Sequence, residues 1–576
     1  MMNILGINYF YHDSTVCVLK DGALAVALEE ERLTRKKHTR EFPLQAIKRC
    51  LEIAELTASD IDHVAVSIRP GMDWHKKVAY GLTIGKEIIP FSKLEVLRAI
   101  YRQRSLNRWY DETFPSNNKP TLHYVPHHLS HAVGSFFVSP YESAALLSVD
   151  GSGEWATTFM GVGQGNTFQC YRQDYFPYSL GSLYEAATEF CGFSPNYDEG
   201  KTMGLAPLGN PDKFRDIVSR IFWVNKDGSI GVDLSYFEYQ YWKAPRCGRK
   251  FYATFGQPRK QDSKAKFEQN HLDVAAAFQW NLEECMLKMA RILRERTKED
   301  YLVIAGGVSL NSVTNGRLVR ESGFKDLYVM PAAGDNGTAM GAACYVYNSI
   351  LGHARTFVHD NPYVGTDYSN SDIERTLREC KVDGAFVQDD ALESTVAKLL
   401  SIGNIVGWFQ GRMEIGPRAL GNRSILANPT MAGMKDRLNA EVKHREAFRP
   451  FAPSCPIEDT PRFFEMNVAD PFMLKVCNVR ADKRATIPAI THVDGTARLQ
   501  TVHKETNPRY HKLLKEFEKL TNVPVILNTS FNIMGEPIVE SPIDALRCFF
   551  STGLDYLVLG NYVLNKNRSV TIRAEG

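Results

Sequence analysis

The chain has 576 residues and eleven cysteines, and its closest pair, Cys170 and Cys191, stands 21 positions apart. That scatter excludes a disulfide framework and the CxxC pairs of zinc ribbons and thioredoxin-like centres, and it implies a reducing, cytoplasmic setting. Long apolar runs are missing too. None approaches the ~18 residues that span a bilayer, and Met1 to Phe10 lacks a basic region followed by a signal-length apolar core. Neither export nor a membrane partner is expected. Charge of one sign is also lacking: 68 Lys and Arg face 66 Asp and Glu, a net of +2, too little to draw the whole molecule to nucleic acid or anionic lipid. A P-loop is absent as well. Asp198-Glu199-Gly200-Lys201-Thr202 ends like one, but position 195, where that motif needs glycine, is Pro195.

What is present is a large globular α/β protein. With 44% hydrophobic residues the chain is too long for one core, so two or three domains are expected. The N-terminus alternates in the manner of strands joined by tight turns: Asn3 to Asn8, Thr15 to Lys20, Ala23 to Leu28. The theme recurs at Ala144 to Asp150, Trp155 to Val162 and Thr167 to Gln173. Helical stretches such as Leu272 to Arg296 follow, then the buried-strand pattern Tyr301 to Ala305. Repeated meanders with helices suggest a duplicated α/β ATPase core. From Gly352 to about Ser371 the sequence turns polar and loop-like before a helix at Asp372 to Glu379, and the domain boundary is placed there.

Two imidazoles and two carboxylates are candidates for one ion. On a helix starting after Pro126, His127 and His131 lie four residues apart and share a face, whereas His123 belongs to a preceding strand. Asp150 and Asp335 each end a strand beside glycines. Such an N₂O₂ set suits Fe²⁺, Mn²⁺ or Zn²⁺ better than the all-oxygen cages of Ca²⁺ and Mg²⁺. The bland alternative for the helical pair is two core histidines.

Glycines after strands let backbone N–H groups approach phosphate oxygens, which makes Gly151, Gly153, Gly306 and Gly307, with Asn311 opposite, candidates for a nucleotide cleft; singly, such loops are turns. Lys201 is a candidate phosphate ligand, or else a solvated lysine. The charged stretch Glu29 to Arg40 most often marks a solvated face, although Lys37 follows a strand that should end near the cleft.

Between Arg412 and Arg449 stand eight bases (Arg412, Arg418, Arg423, Lys435, Arg437, Lys443, Arg445, Arg449) against four acids. Arginine forks hold phosphate bidentately and lysine adds a point charge, so the cluster calls for a small polyanion such as a triphosphate. Nucleic acid fits less well, since few aromatics for base stacking accompany it beyond Phe448 and Phe451. Val525 to Asn532 resembles a buried strand delivering Asn528 and Ser530 to phosphate or ribose, or simply a turn.

These motifs together resemble the O-carbamoyltransferases of the NodU/CmcH type nearly end to end. The resemblance rests on His12-Asp13, Glu29 to Arg32 with Lys37-His38, His127-His128 with His131, Asp150 to Glu154, Gly200-Lys201, Gly306-Gly307 with Asn311, Gly334 to Gly337, Gly416 to Gly421, Lys443 to Pro453 and Asn528 to Asn532. It implies an ASKHA-type, RNase H-like domain over residues 1–355, similar to the enzyme that completes threonylcarbamoyl modification of tRNA, and a YrdC-like α/β domain over 366–576. The resemblance further implies that the C-terminal domain joins ATP, taken with Mg²⁺, and carbamoyl phosphate into carbamoyl adenylate, with Arg418, Lys443, Arg449 and Arg498 screening charge and Asn528 and Ser530 orienting phosphates. The N-terminal metal set would then serve transfer to a small-molecule hydroxyl acceptor, with His12 as base and Lys37 at the acceptor. A homodimer is one option. The alternatives are a tRNA-modifying or hydrogenase-maturation carbamoyltransferase, the latter lacking its acylphosphatase and CxxC modules here, and a nucleotide sensor without chemistry. The acceptor is not readable from the sequence.

Overall fold

The computed structural model describes residues 2–84, 93–115, 119–241, 245–261 and 265–566. The chain divides into two compact units, the first formed by Met1–Glu30 and His38–His359, the second by Glu31–Lys37 and Asp360–Gly576.

The first unit is built on two five-stranded sheets of the same topology. Strands β1 (Asn3–Asn8), β2 (Thr15–Lys20), β3 (Ala23–Glu29), β4 (His63–Val66) and β5 (Thr121–Tyr124) line up as β3-β2-β1-β4-β5. The second sheet uses β6 (Ser143–Gly153), β7 (Ala156–Gln164) and β8 (Thr167–Tyr175); after a small hairpin, β9 (Phe222–Val224) and β10 (Ile230–Val232), it adds β11 (Tyr301–Ala305) and β12 (Asp326–Val329). Its order is β12-β11-β6-β7-β8. In each sheet an antiparallel meander is extended by two parallel strands beside its first member. The meander theme in the sequence is therefore a duplication of the α/β core. Central strands such as Ala144 to Leu147 are fully buried, which is why they read as continuous apolar runs rather than alternating ones.

Two helices lie between the sheets' chain segments and position the chemistry. Helix His127–Phe137 begins directly after Pro126, whose ring cannot continue a helix toward the N-terminus. The Glu154 carboxylate accepts the His127 N–H, each oxygen at 3.1 Å, a negative charge placed at the positive end of the helix. Helix Thr338–Tyr345 packs against it backbone to backbone: a Cβ added to Gly134 would lie 2.1 Å from the Gly341 Cα. Only glycine on both sides allows that approach, and it sets the turn at Asp335 beside the first turn of the other helix.

The second unit is an eight-stranded mixed sheet. Strands Val406–Phe409, Arg423–Ala427, Ile526–Ser530 and Tyr556–Leu559 form its middle. Phe409, Ile425, Leu527 and Leu557 pack into one apolar cluster, while Val406, Trp408, Leu426, Ile526 and Val558 pack into another. That alternation along each strand means that both faces of the sheet are covered.

The charged stretch Glu29 to Arg40 is not the solvated face its composition suggested. Glu29, Glu30, Glu31 and Arg32 are all buried. Arg32 donates to the carbonyl of Gly416 at 2.9 Å, and Arg35 to those of Pro537 and Ile538 at 2.7 and 2.6 Å, which ties Glu31–Lys37 into the second unit. Burial is tolerated because distant carbonyls take up the guanidinium donors.

Candidate functional site

In the first unit His127, His131, Asp150 and Asp335 converge, all buried, with one ligand atom from each within 4.8 Å of the others. Nε2 of His127 lies 3.3 Å from Asp150 Oδ2 and 3.3 Å from Asp335 Oδ1; Nε2 of His131 lies 3.4 Å from the same two oxygens. The two Nε2 atoms are 3.0 Å apart. Four ligands bound at 2.0–2.1 Å around a tetrahedral ion stand ~3.3 Å from one another, so these residues fit a divalent N/O-coordinated ion. Burial opposes charge on every member. The mutual attraction wins, holding His127 well above the ordinary imidazole range and Asp150 and Asp335 well below the ordinary carboxylate range. The remaining Asp150 oxygen accepts the Gly307 N–H at 3.1 Å, which orients the carboxylate. His128 is a different case. It bonds the Ala156 carbonyl at 2.9 Å and the Ser148 hydroxyl at 3.3 Å, and burial together with neighbouring His127 pushes it down to about 3, a neutral structural ring.

Beside the cluster lies a histidine and carboxylate chain. His12 Nδ1 bonds Asp13 Oδ2 at 2.9 Å, Asp13 Oδ1 bonds His38 Nδ1 at 2.7 Å, and His12 Nε2 stands 3.7 Å from Asp335 Oδ2. Burial disfavours the charged ring, but the Asp335 and Asp13 carboxylates outweigh it and raise His12 to about 10. Asn8 fixes the arrangement by donating to the carbonyls of Asp335, His12 and Asp13 at 3.0, 3.1 and 3.1 Å. The sequence places His12-Asp13 and Lys37-His38 as motifs; the bridge that Asp13 makes between the two imidazoles is what the structure adds.

The eight bases of the second unit separate into two groups. Arg423 is fully buried and donates to the carbonyls of Gln410, Gly411 and Thr366, with its guanidinium 3.7 Å over the Phe409 ring; Arg412 donates to Gly365 and Val364; Arg437 pairs with Glu441 and Asp555. Those three hold the fold together. Arg418, Lys443, Arg445 and Arg449 instead repel one another, and Arg498 joins them. Burial and Arg449 pull Arg418 down to about 10 and Arg445 down to about 9, while burial and then Arg418, Arg445 and Arg449 pull Arg498 down further. Lys443, 4% exposed, is pushed well below the ordinary lysine range by burial and then by Arg445 and Arg449, with Lys37 adding to the repulsion. The Nε atoms of Arg418 and Arg498 are buried with no hydrogen-bond partner among the described residues. Lys443 is buried and the arginines around it are half-buried, so a bound anion would relieve the repulsion among them. The loop that carries Arg418 is folded by Glu414, whose Oε1 accepts the N–H groups of Leu420, Asn422 and Arg423 at 2.6, 3.4 and 3.2 Å.

A family model described as Carbamoyltransferase N-terminus matches residues 3–344, and one described as Carbamoyltransferase C-terminus matches residues 397–566. The chain belongs to the carbamoyltransferase family. It is 40% identical to an uncharacterized protein of Synechocystis sp. over 98% of this chain and 97% of that one. Nodulation protein NolNO of Sinorhizobium fredii is 38% identical over 97% of this chain and 80% of its own length. The 3'-hydroxymethylcephem-O-carbamoyltransferase of Streptomyces clavuligerus is 34% identical, covering 93% and 94%. The protein is thus an enzyme that carbamoylates, with O-carbamoyltransferases among its relatives.

Several candidate residues of this carbamoyltransferase sit in structural roles. Asn311 caps helix Ser312–Glu321 through Thr314 N–H and exchanges amide bonds with Gln279 at 2.8 and 3.1 Å. The Asn528 amide donates to Ala419, Ser454 and Gln500 inside the sheet, leaving its buried Oδ1 without a partner among the described residues. Lys201 pairs with Asp198 at 3.0 Å and lies 5.5 Å over the Phe193 ring. Ser530 does join the cationic site: Lys443 Nζ donates to its carbonyl and hydroxyl and, at 3.0 and 2.9 Å, to the carbonyl and Oδ1 of Asn532. Gly306 ends β11 against Val149 and Gly151 faces Glu185. The space Gly153 leaves is filled by the His127 ring. Among the described residues no helix is long and apolar enough to cross a membrane.

Proposed function

We propose that this enzyme is an ATP-dependent O-carbamoyltransferase in which the second, YrdC-like unit makes carbamoyl adenylate from ATP and carbamoyl phosphate, and the first, ASKHA-like unit delivers the carbamoyl group to a hydroxyl of a small natural product. The observation that carries this reading is the gathering of buried Lys443 with half-buried Arg418, Arg445, Arg449 and Arg498, whose mutual repulsion a polyphosphate would relieve. In that cluster the guanidinium forks hold the phosphates of Mg-ATP and of carbamoyl phosphate; water cleaves carbamoyl phosphate to carbamate and inorganic phosphate, in-line attack of the carbamate oxygen on the screened α-phosphorus expels pyrophosphate, and AMP departs when the acceptor hydroxyl takes the carbamoyl group. Lys443, anchored on Ser530 and Asn532, adds a fixed donor whose positive charge a bound anion would favour.

In the first unit His127, His131, Asp150 and Asp335 would hold the divalent ion, Fe²⁺ or its Mn²⁺ or Zn²⁺ equivalents, which supplies Lewis acidity toward the carbamoyl or adenylate oxygens. Asp13 holds His12 by Nδ1 and so leaves Nε2 facing the cluster. The carboxylate of Asp335 that keeps a proton on His12 is the same one that carries a ligand atom of the cluster; once its charge is balanced, His12 returns toward the ordinary imidazole range and takes the acceptor hydroxyl's proton. Lys37, exposed and bearing on Lys443, contacts substrate as a mobile cation.

Incubation with ATP, labelled carbamoyl phosphate, a divalent ion and a panel of hydroxylated natural products tests the reading. Pyrophosphate is released only when carbamoyl phosphate is present, and one acceptor gains the mass of one carbamoyl group. No carbamoyl-phosphate-dependent pyrophosphate release with the ion supplied refutes it and leaves a nucleotide sensor.

A further inference from the structure

Away from both clusters, two imidazoles meet on the first sheet of the first unit. His63 opens β4 and His123 lies on β5; the parallel register sets His63 against Thr121 and Ala65 against His123. Residues 121 and 123 share a face of the strand, so His123 sits diagonal to His63 on that face. His63 Nδ1 and His123 Nε2 are 3.1 Å apart, with the ring planes at 52°. Both side chains are half-buried, so solvent reaches them. The nearest carboxylate, Asp62, has its Oδ2 engaged by the Asn3 N–H at 2.7 Å. Burial lowers both rings below the ordinary imidazole range, and His63 lowers His123 further, which keeps the pair neutral at pH 7, the form that binds metal.

The separation discriminates among uses. Two nitrogens at 2.0–2.1 Å from one ion stand ~2.9 Å apart at a right angle and ~3.4 Å apart at the tetrahedral angle, and 3.1 Å falls between these limits. We propose that His63 and His123 form a second divalent-cation site for a borderline ion such as Zn²⁺ or Cu²⁺, completed by water, which staples edge strand β5 to β4. Strand β5 ends at Tyr124 and runs through Val125-Pro126 straight into the helix that starts at His127, so an ion held at His123 anchors the strand that delivers the buried cluster's helix.

The test uses the holoenzyme with the ion of its buried cluster retained. Calorimetric titration with Zn²⁺ is expected to show one equivalent more for the wild type than for His63→Ala or His123→Ala, with the metal content of the buried cluster and carbamoyl transfer unchanged in both variants. His123→Gln, which keeps a hydrogen-bonding partner for His63, covers the case in which alanine disturbs folding. Paramagnetic resonance with Cu²⁺ is expected to report two nitrogen donors in the wild type and one in each variant, and Zn²⁺ is expected to raise the melting midpoint of the wild type alone. Equal stoichiometry in wild type and variants overturns the proposal and leaves the pair as an N–H···N hydrogen bond between neutral imidazoles.

Discussion

Substituting Gly153 by alanine isolates the metal cluster without touching a ligand. A Cβ there would lie 2.1 Å from Cδ2, 2.5 Å from Cγ and 2.7 Å from Cβ of His127. Non-bonded carbons settle near ~3.5 Å, so the imidazole must retreat by roughly 1.4 Å, several times the ~0.2 Å by which coordination distances vary. The backbone at 153 is outside the left-handed region, so space alone is at issue. Overpacking of this kind costs about 1–3 kcal/mol of stability, which a unit of this size tolerates. Losing one of four ligands is expected to lower ion affinity by at least the 10–100-fold typical of outer-shell changes. The assay is metal content per chain by mass spectrometry, with carbamoyl transfer and carbamoyl-phosphate-dependent pyrophosphate release measured on the same preparation. Metal content and transfer should collapse while pyrophosphate release stays within about twofold, because that step belongs to the other unit. A Gly153→Ala enzyme that keeps a full equivalent of ion and normal transfer refutes the assignment of His127 as a ligand.

Three further outcomes follow from the geometry. His12→Gln should cut transfer by about 10²–10⁴-fold, the usual worth of a general base, and leave both metal content and pyrophosphate release intact; equal loss in both half-reactions would count against it. Arg498→Met removes one of the half-buried, mutually repelling cations, so urea unfolding should show a gain on the order of 1 kcal/mol while pyrophosphate release falls by about 10²-fold or more; a loss of stability would mean that the cluster is already compensated. Asp470, 2% exposed, is raised from 3.8 to about 6, burial outweighing Lys475 and the backbone donors. The fold therefore binds its proton more tightly than the unfolded chain does, and its contribution falls as pH rises from about 4 through 6, by up to roughly 3 kcal/mol. Urea titrations across that window should show this slope in the wild type and not in Asp470→Asn.

The metal cluster was legible because its signals are local. A four-residue spacing after a proline fixes two imidazoles on one helical face, and aspartates beside glycines mark strand ends. The duplicated core was legible as a repeated meander, since strand and turn patterns depend on neighbours in sequence. Long-range partners were not. Nothing near Arg32 or Arg35 announces carbonyls at Gly416, Pro537 and Ile538, so the stretch read as solvated. Nor could composition sort the eight bases: Arg423 and Arg418 look alike in sequence, but the first is fully buried, with its terminal NH groups on four carbonyls and its face on a phenylalanine, while the second is half-buried and repelled by Arg449. Asn311 and Asn528 misled for the same reason. Short amides at strand ends suit a nucleoside, yet Gln279, Ser454 and Gln500 claim them. That Asp13 bridges two imidazoles is visible only once residues 12 and 38 are brought together.

The two clusters are electrostatic opposites, and that opposition explains how one chain handles both ends of the chemistry. In the first unit two buried carboxylates face two imidazoles, and what stabilises such a set is added positive charge. In the second, half-buried arginines face a buried lysine and one another, and what stabilises them is added negative charge. Neither arrangement would persist for packing alone, since apolar residues of similar volume would fill the same space at lower cost. Under the proposed function each set fits a ligand of the opposite charge: a cation where group transfer would need an electrophile, and a polyphosphate where an adenylate would form.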